Sequence, residues 1–283
     1  MKLLKGKKIA DKILENLRQK IKKEKLEPGL AVFLVGDDKA SEIYVSLKKR
    51  AAQQMGIKFL LFRYGENAKE SKIISKIKKL NSDKSVSGII VQLPLPKKFN
   101  TQKIINSINP EKDADGFSAK GGSAFGGHPQ ESSSGLQPVF PSAILKLLGS
   151  SGENLNNKKT IILANSVRFG EVMETALMNK GIRADYILAK NIKSNQRKIK
   201  SADIVISAVG KSGTITGNMI KKDAVIIDGG ITKVGKKVLG DADFESVKKI
   251  AGYLTPVPGG VGPVTIACLL ENVYLAEKGQ SKL

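Results

Sequence analysis

Short apolar runs alternate along this chain with longer segments of helical periodicity. Residues 30–35, 58–62 and 89–93 are apolar and of strand length, while 9–25, 41–55, 71–80 and 101–108 repeat apolar residues at helical spacing. A helix between two strands returns the chain to the same end of the sheet, so the strands pair in parallel. The run Gly88-Ile89-Ile90-Val91 has no polar alternation and reads as a strand buried on both faces. Residues 118–137 are then rich in Gly and Ser, as a loop or linker is. A helix is expected over 142–148, after Pro141. A second alternating series follows, with strands at 159–164, 184–188, 203–208 and 224–228, and a turn at 165–170 leading into a helix over 171–180. This series has the pattern of a Rossmann-type half. The expected architecture is α/β with two domains: an N-terminal three-layer α/β domain over 1–140, and a Rossmann-type NAD(P)-binding domain over 141–264.

A chain of 283 residues can bury two cores. Aromatic residues make up 5% and Trp is absent, so those cores should be aliphatic. No apolar run approaches the roughly 20 residues of a membrane helix, and residues 1–8, MKLLKGKK, lack the apolar stretch of a signal peptide. The single Cys268 sits in an apolar helical run and cannot form an internal disulfide, which fits a reducing cytoplasm. With one His and one Cys no zinc site of the usual ligand type is expected, and His128, in the Gly/Ser-rich stretch, is given no catalytic role. The net charge of +22 raises nucleic acid as a partner. The lysines, however, cluster on helix-like stretches such as 20–25 and 76–79, without interleaved aromatics. They read as a solvated surface, which would also draw in an anionic substrate.

Four segments carry candidate chemistry. Tyr44 and Lys48 stand four residues apart in SEIYVSLKKR, residues 41–50. If Ser41 opens a helix, the pair shares one face. A phenol can hold a neighbouring amine, and a desolvated amine can act as a base near neutral pH. The plainer reading is a Tyr on a core edge and a Lys in solvent. Gln92 follows the apolar run where Pro94 and Pro96 stop the strand, and ligands of open α/β sheets bind at the carboxyl ends of strands. KDADGF, residues 112–117, puts Asp113 and Asp115 in one turn, either as ligand contacts or as an Asx-turn. Residues 256–265, PVPGGVGPVT, read as a rigid loop with close backbone approach, closer to a ligand wall than to a polar linker.

In this order these segments resemble the methylenetetrahydrofolate dehydrogenase/cyclohydrolase family, from Gly29-Leu30-Ala31-Val32 to Glu271-Asn272. The resemblance implies two linked activities. One is NADP-dependent oxidation of 5,10-methylenetetrahydrofolate to the 5,10-methenyl cation. The other is hydrolysis of that cation to 10-formyltetrahydrofolate. It implies catalytic roles for Lys48, Tyr44, Gln92 and Asp115: Lys48 as general base or proton relay, Tyr44 holding Lys48 near the folate, Gln92 tuning the amine, and Asp115 accepting hydrogen bonds from the pterin. Substrate contacts would come from Tyr44, Gln92, Asp115, Pro256, Gly259 and Gly260. Cofactor contacts would come from Ala164, Asn165, Ser166, Gly170 and Ile231, with no metal. The C-terminal helix, 265–283, would rejoin the first domain, leaving the active site in a cleft between the domains. The family also implies tetrahydrofolate derivatives as partners and a homodimer.

The departures from the family pattern fall on the cofactor side. The usual Gly-x-Ser-x-x-Val-Gly-x-Pro reads Ala164-Asn165-Ser166-Val167-Arg168-Phe169-Gly170-Glu171-Val172. Ala164 would be strained if that position needs a positive φ, and Glu171 would repel phosphate if it opened the helix. Polar groups usual after the second strand are replaced by Tyr186-Ile187-Leu188-Ala189. The Asn and Gly that commonly follow the Asp-Gly-Phe motif appear as Gly121 and Ser123, and the Cys-Thr before a Pro as Val139-Phe140. Weakened oxidation is therefore expected. NADP is the expected cofactor, with NAD open: Asp185 is the nearest acid on the second strand, while Lys190 and Lys193 could meet a 2′-phosphate. Three readings stand open: a bifunctional folate enzyme, a cyclohydrolase with a vestigial cofactor domain, and a basic nucleic-acid-binding protein on the same fold.

Overall fold

The structure is a computed structural model that describes residues 1–117, 135–235 and 237–281. Gly121, Ser123 and His128 lie outside the described residues. In chain order the strands are β1 Lys2–Leu3, β2 Gly29–Val35, β3 Lys58–Tyr64, β4 Gly88–Val91, β5 Thr160–Ala164, β6 Ala184–Leu188, β7 Ile204–Ala208, β8 Val225–Asp228, β9 Thr232–Val234, β10 Lys237–Leu239 and β11 Tyr253–Leu254. The helices are α1 Gly6–Glu24, α2 Lys39–Gln54, α3 Glu70–Asn81, α4 Thr101–Ile105, α5 Val139–Gly149, α6 Val167–Met178, α7 Gln196–Lys200, α8 Phe244–Val247 and α9 Val261–Gln280. The chain divides into two units, Asp11–Val139 with Ile266–Leu283, and Met1–Ala10 with Phe140–Thr265.

The first unit holds a parallel sheet in the order β3-β2-β4. All seven residues of β2 are buried, as a central strand covered on both faces requires. Helix α3 buries Ile73, Ile77 and Leu80, spaced by four and three residues, in a cluster with Ala31, Phe33, Val35, Ile89 and Val91. Phe33 breaks the expected aliphatic character, since its ring stacks on Phe62 at 5.2 Å and Tyr64 at 6.1 Å. Lys112 is buried because its ammonium ends α3, donating to the Leu80 and Asp83 carbonyls at 3.1 and 2.7 Å.

The second unit holds a six-stranded parallel sheet, β1-β11-β8-β7-β5-β6. Residues 1–10, which the sequence reading puts in the first domain, group here because β1 pairs with β11. A two-residue exposed strand has no periodicity to read. The chain runs outward from β5 to β6, then returns to β7 on the opposite side of β5. That reversal makes the carboxyl ends of β5 and β7, where Ala164 and Ala208 are register partners, the topological switch point at which such sheets bind ligands.

Several helix starts come earlier than expected. Helices α5 and α9 begin before Pro141 and Pro263, each of which is the third helical residue. A first-turn proline gives up an N–H that has no helical partner anyway, so it does not mark the boundary. Helix α6 begins at Val167 rather than 171, so Gly170 and Glu171 lie inside it.

Candidate active site

Helix α2 opens at Lys39, not Ser41. The Asp38 carboxylate caps it by accepting the Ser41 N–H at 2.8 Å. Tyr44 and Lys48 then lie one turn apart on one face. The Lys48 Nζ donates to Gln92 Oε1 at 3.0 Å. Gln92 follows β4 directly; its backbone N–H continues the ladder to the Phe33 carbonyl at 2.9 Å, and its Nε2 donates to the Leu93 carbonyl at 2.8 Å. The Ser41 hydroxyl donates to that same carbonyl at 3.5 Å, so the start of α2 and the end of β4 meet at one point. The amine is thus held by Gln92 and not by the phenol that the sequence reading pairs with it. Tyr44 is half-buried, and burial pushes its phenol up, which keeps it neutral and able to donate.

The two aspartates of KDADGF divide their work. Asp113 is buried and pairs with Ile89 as an isolated bridge. Its Oδ1 accepts the Gly116 N–H at 3.1 Å, which closes a turn around a φ of 71° at Gly116. Asn272 of α9 fixes this turn by donating to the Ala114 and Gln137 carbonyls at 2.8 and 2.7 Å. Asp115 is left with its carboxyl in a desolvated setting. Burial pushes it up, and the positive charge of Lys48 pulls in the opposite direction. The first unit therefore brings together Lys48 and Gln92 by a hydrogen bond, with Asp115 in the field of Lys48 and Tyr44 on the same helix face. Pro256, Gly259 and Gly260 belong to the second unit, in the loop after β11. Gly259 has a φ of 104° and its carbonyl accepts the Lys7 N–H at 3.2 Å.

In the second unit, Asn165 and Ser166 are exposed just beyond β5. The Ser166 hydroxyl caps α6 by accepting the Phe169 N–H at 3.3 Å. Ile231, 43% exposed, follows β8. Ala164 is the last, fully buried residue of β5 and is not among the positive-φ positions, so the expected strain is absent. Glu171 is the fifth residue of α6, past the first turn where a negative charge would oppose phosphate. Gly170 is buried, and a Cβ there would lie 2.5 Å from the Tyr186 ring. Its role is close packing of α6 on β6. Gly170→Ala should accordingly destabilise this unit by about 1–3 kcal/mol, as overpacking does; an unchanged melting temperature would show that the Tyr186 ring swings aside. A hydroxyl cap, free-standing polar side chains and a twelve-residue helix start at a switch point form a donor set suited to a dinucleotide.

Sequence reasoning gave no role to Asn272 or Asp241, and took Asp228 only as part of Asp228-Gly229-Gly230-Ile231, which with Val209-Gly210-Lys211 resembles the family's loops flanking the cofactor; all three residues are buried. The available signal was Asp beside Gly in an otherwise lysine-rich chain, at Asp228-Gly229-Gly230 and Gly240-Asp241. Among the described residues no group of three or more His, Cys, Asp or Glu could hold a metal ion, and no helix is long and apolar enough to cross a membrane.

Comparison with known proteins points the same way on both units. Residues 4–115 match the family model of the tetrahydrofolate dehydrogenase/cyclohydrolase catalytic domain, and residues 138–281 that of its NAD(P)-binding domain. The chain is 39% identical to the bifunctional protein FolD of a Nitratiruptor species over 294 residues, covering 100% of both chains. It is similar to the crystal structure of the bifunctional enzyme FolD from Campylobacter jejuni, with 38% identity, 99% coverage of each chain and a TM-score of 0.90. It is also similar to the Trypanosoma brucei enzyme complexed with NADP cofactor and inhibitor, with 30% identity, coverage of 99% and 98%, and a TM-score of 0.92.

Proposed function

The chain belongs to the tetrahydrofolate dehydrogenase/cyclohydrolase family, and we propose that Lys48, Gln92, Tyr44 and Asp115 carry its folate chemistry. It is a methylenetetrahydrofolate dehydrogenase and methenyltetrahydrofolate cyclohydrolase. The observation that carries the residue assignment is the Lys48 Nζ to Gln92 Oε1 hydrogen bond of 3.0 Å, with the Asp115 carboxyl in the field of Lys48.

The methenyl carbon is electron-poor, so water needs orientation and a proton acceptor more than a stronger nucleophile. Lys48, when its amine is unprotonated, takes a proton from the water that attacks the methenyl carbon; the hydroxyl proton of the adduct then passes to N5 as the C–N5 bond breaks, which leaves the formyl group on N10. Gln92 fixes that amine through its carbonyl and then stabilises the ammonium that forms, because an amide oxygen is a better partner for the charged state. Tyr44, kept neutral, offers its hydroxyl on the same helix face. Asp115 accepts hydrogen bonds from the pterin. NADP, when bound, would supply the hydride acceptor for the oxidation step. Asn165, Ser166 and Ile231 would hold it, with Gly170 shaping the helix behind them and Ala164 ending the strand beneath. Two grounds for weakened oxidation fall away, since Ala164 is unstrained and Glu171 lies beyond the first turn; the replaced polar groups at 186–189 are unaffected by this. The purified protein should hydrolyse methenyltetrahydrofolate without cofactor and oxidise the methylene form with NADP; absence of either activity would overturn the corresponding half.

Asp115→Ala should weaken binding of a folate analogue by about tenfold to a hundredfold, the equivalent of roughly 1.5–3 kcal/mol for a charge-assisted hydrogen bond. Turnover of bound substrate should change less. An unchanged dissociation constant would remove Asp115 from the site. Burial raises the Asp115 carboxyl, so analogue affinity should also fall on acidification sooner than an ordinary aspartate would cause. We extend the reading to a homodimer in a reducing cytoplasm, which the family and the single buried Cys268 support; sedimentation equilibrium tests the first part.

A further inference from the structure

The loops that leave β7 and β8 are built around two buried carboxylates that the folate chemistry does not use. Asp241 is fully buried and Asp228 is 3% exposed. Asp241 Oδ2 accepts the Ser207 hydroxyl at 2.6 Å and the Val209 N–H at 2.7 Å, and its Oδ1 accepts the Lys211 N–H at 2.8 Å. Asp228 Oδ1 accepts the Gly230 N–H at 3.0 Å and the Asp241 N–H at 2.9 Å, and its Oδ2 accepts the Ala242 N–H at 2.8 Å. Ser207 and Asp228 are register partners at the carboxyl ends of adjacent strands. Space is reserved for the first carboxylate, since a Cβ on Gly230 would lie 2.0 Å from Asp241 Oδ1.

We propose that Asp241 is a positioning residue for the dinucleotide: backed by Asp228, it holds the main chain of Val209–Lys211 and Gly229–Ile231 in the shape that receives the cofactor. Place and chemistry both support this. A buried carboxylate without partners is costly, and here it collects two loop N–H groups and a hydroxyl beside the switch point. Because Asp241 takes them, they do not serve a phosphate. The anionic part of the dinucleotide is left to the start of α6 at Ser166, and the β7 and β8 loops contribute the shape that Asp241 and Asp228 fix.

The inference rests on the reading that this unit binds NADP, and the test separates the two. NADP binding is measured by calorimetry on the full chain without folate. Asp241→Asn turns an amide donor toward a loop N–H that needs an acceptor, and it should raise the NADP dissociation constant by about tenfold or more. The KM for NADP should rise with it, while cofactor-free methenyl hydrolysis continues. Ser207→Ala, which deletes one of the three bonds and spares the backbone pair, should raise the constant by about threefold; it carries the test if Asp241→Asn does not fold by circular dichroism. Asp203→Asn is the control. Asp203 holds Lys159 N–H and Lys221 at the opposite ends of the strands, at 2.9 and 2.6 Å. It should lower stability but leave NADP affinity within about twofold, as a partly exposed pair at the other end of the strands can. A folded Asp241→Asn protein with wild-type affinity would overturn the proposal, as would an equal loss in Asp203→Asn. Wild-type protein that takes up no NADP would sink the functional reading itself.

Discussion

Lys48→Ala is expected to lower methenyltetrahydrofolate hydrolysis by about 10²–10⁴-fold, the usual contribution of a positioned general base. That corresponds to roughly 3–5 kcal/mol of transition-state stabilisation. The fold should survive, because Lys48 is only half-buried and its hydrogen bond runs to a single side chain. NADP binding should be untouched, since its proposed contacts lie in the other unit. Lys48→Arg should fail almost as completely. A guanidinium stays protonated at working pH, so it keeps the charge near Asp115 and the contact to Gln92 but cannot take a proton. Residual hydrolysis near the wild-type rate in either variant would remove Lys48 from the role of base. Failure of alanine with success of arginine would show that Lys48 supplies charge alone.

The second large effect is on stability. Asp228 is pushed up to about 6, first by burial and further by the Asp241 carboxylate, against the pull of the N–H groups of Ala242, Asp241 and Gly230. In the unfolded chain the same carboxyl titrates near its ordinary value of 3.8. Between these values the folded protein holds a proton that the unfolded chain has lost, so stability falls as pH rises through the window. The contribution is fully present below the unfolded value and is lost above the folded one. Its size is about 3 kcal/mol, from roughly 1.4 kcal/mol for each tenfold change in proton affinity. Asp228→Asn removes this titration. The stability difference between wild type and Asp228→Asn should therefore move by about 3 kcal/mol against the wild type from pH 3 to pH 7. Denaturant midpoints across that range measure it. A pH-independent difference would show that Asp228 titrates near its ordinary value.

Much of the candidate site is legible from residue types in order. Lys48 and Gln92 are bonded as the resemblance to the folate family implies, and Asp115 lies close enough to Lys48 to feel its charge. Local chemistry supplies part of this, and the resemblance supplies the rest. Four-residue spacing puts Tyr44 and Lys48 on one helix face, and a strand that ends in prolines delivers Gln92 to its carboxyl end. The cofactor turn misleads for an equally local reason. Gly170 resembles a phosphate-turn glycine, but a glycine needed for helix–sheet contact has the same letter, and only the Tyr186 ring beside it distinguishes them. Prolines in a first helical turn obscure the starts of α5 and α9 in the same way.

The parallel α/β class, the two series of strands and helices, and the helix face shared by Tyr44 and Lys48 can all be read from the order of residues. They follow from periodicity and short-range spacing, which are properties of neighbouring residues. The remaining features exist only in the folded chain. Folding pairs β1 with the second sheet, gives Asn272 the turn that presents Asp115, and sets Asp228 and Asp241 at the centre of the loops beyond β7 and β8. Each of those contacts joins residues far apart in the chain, or a buried acid to backbone N–H groups. No pattern of side chains along a strand or helix encodes such a partner, because the need for it arises only when the surrounding water has been removed.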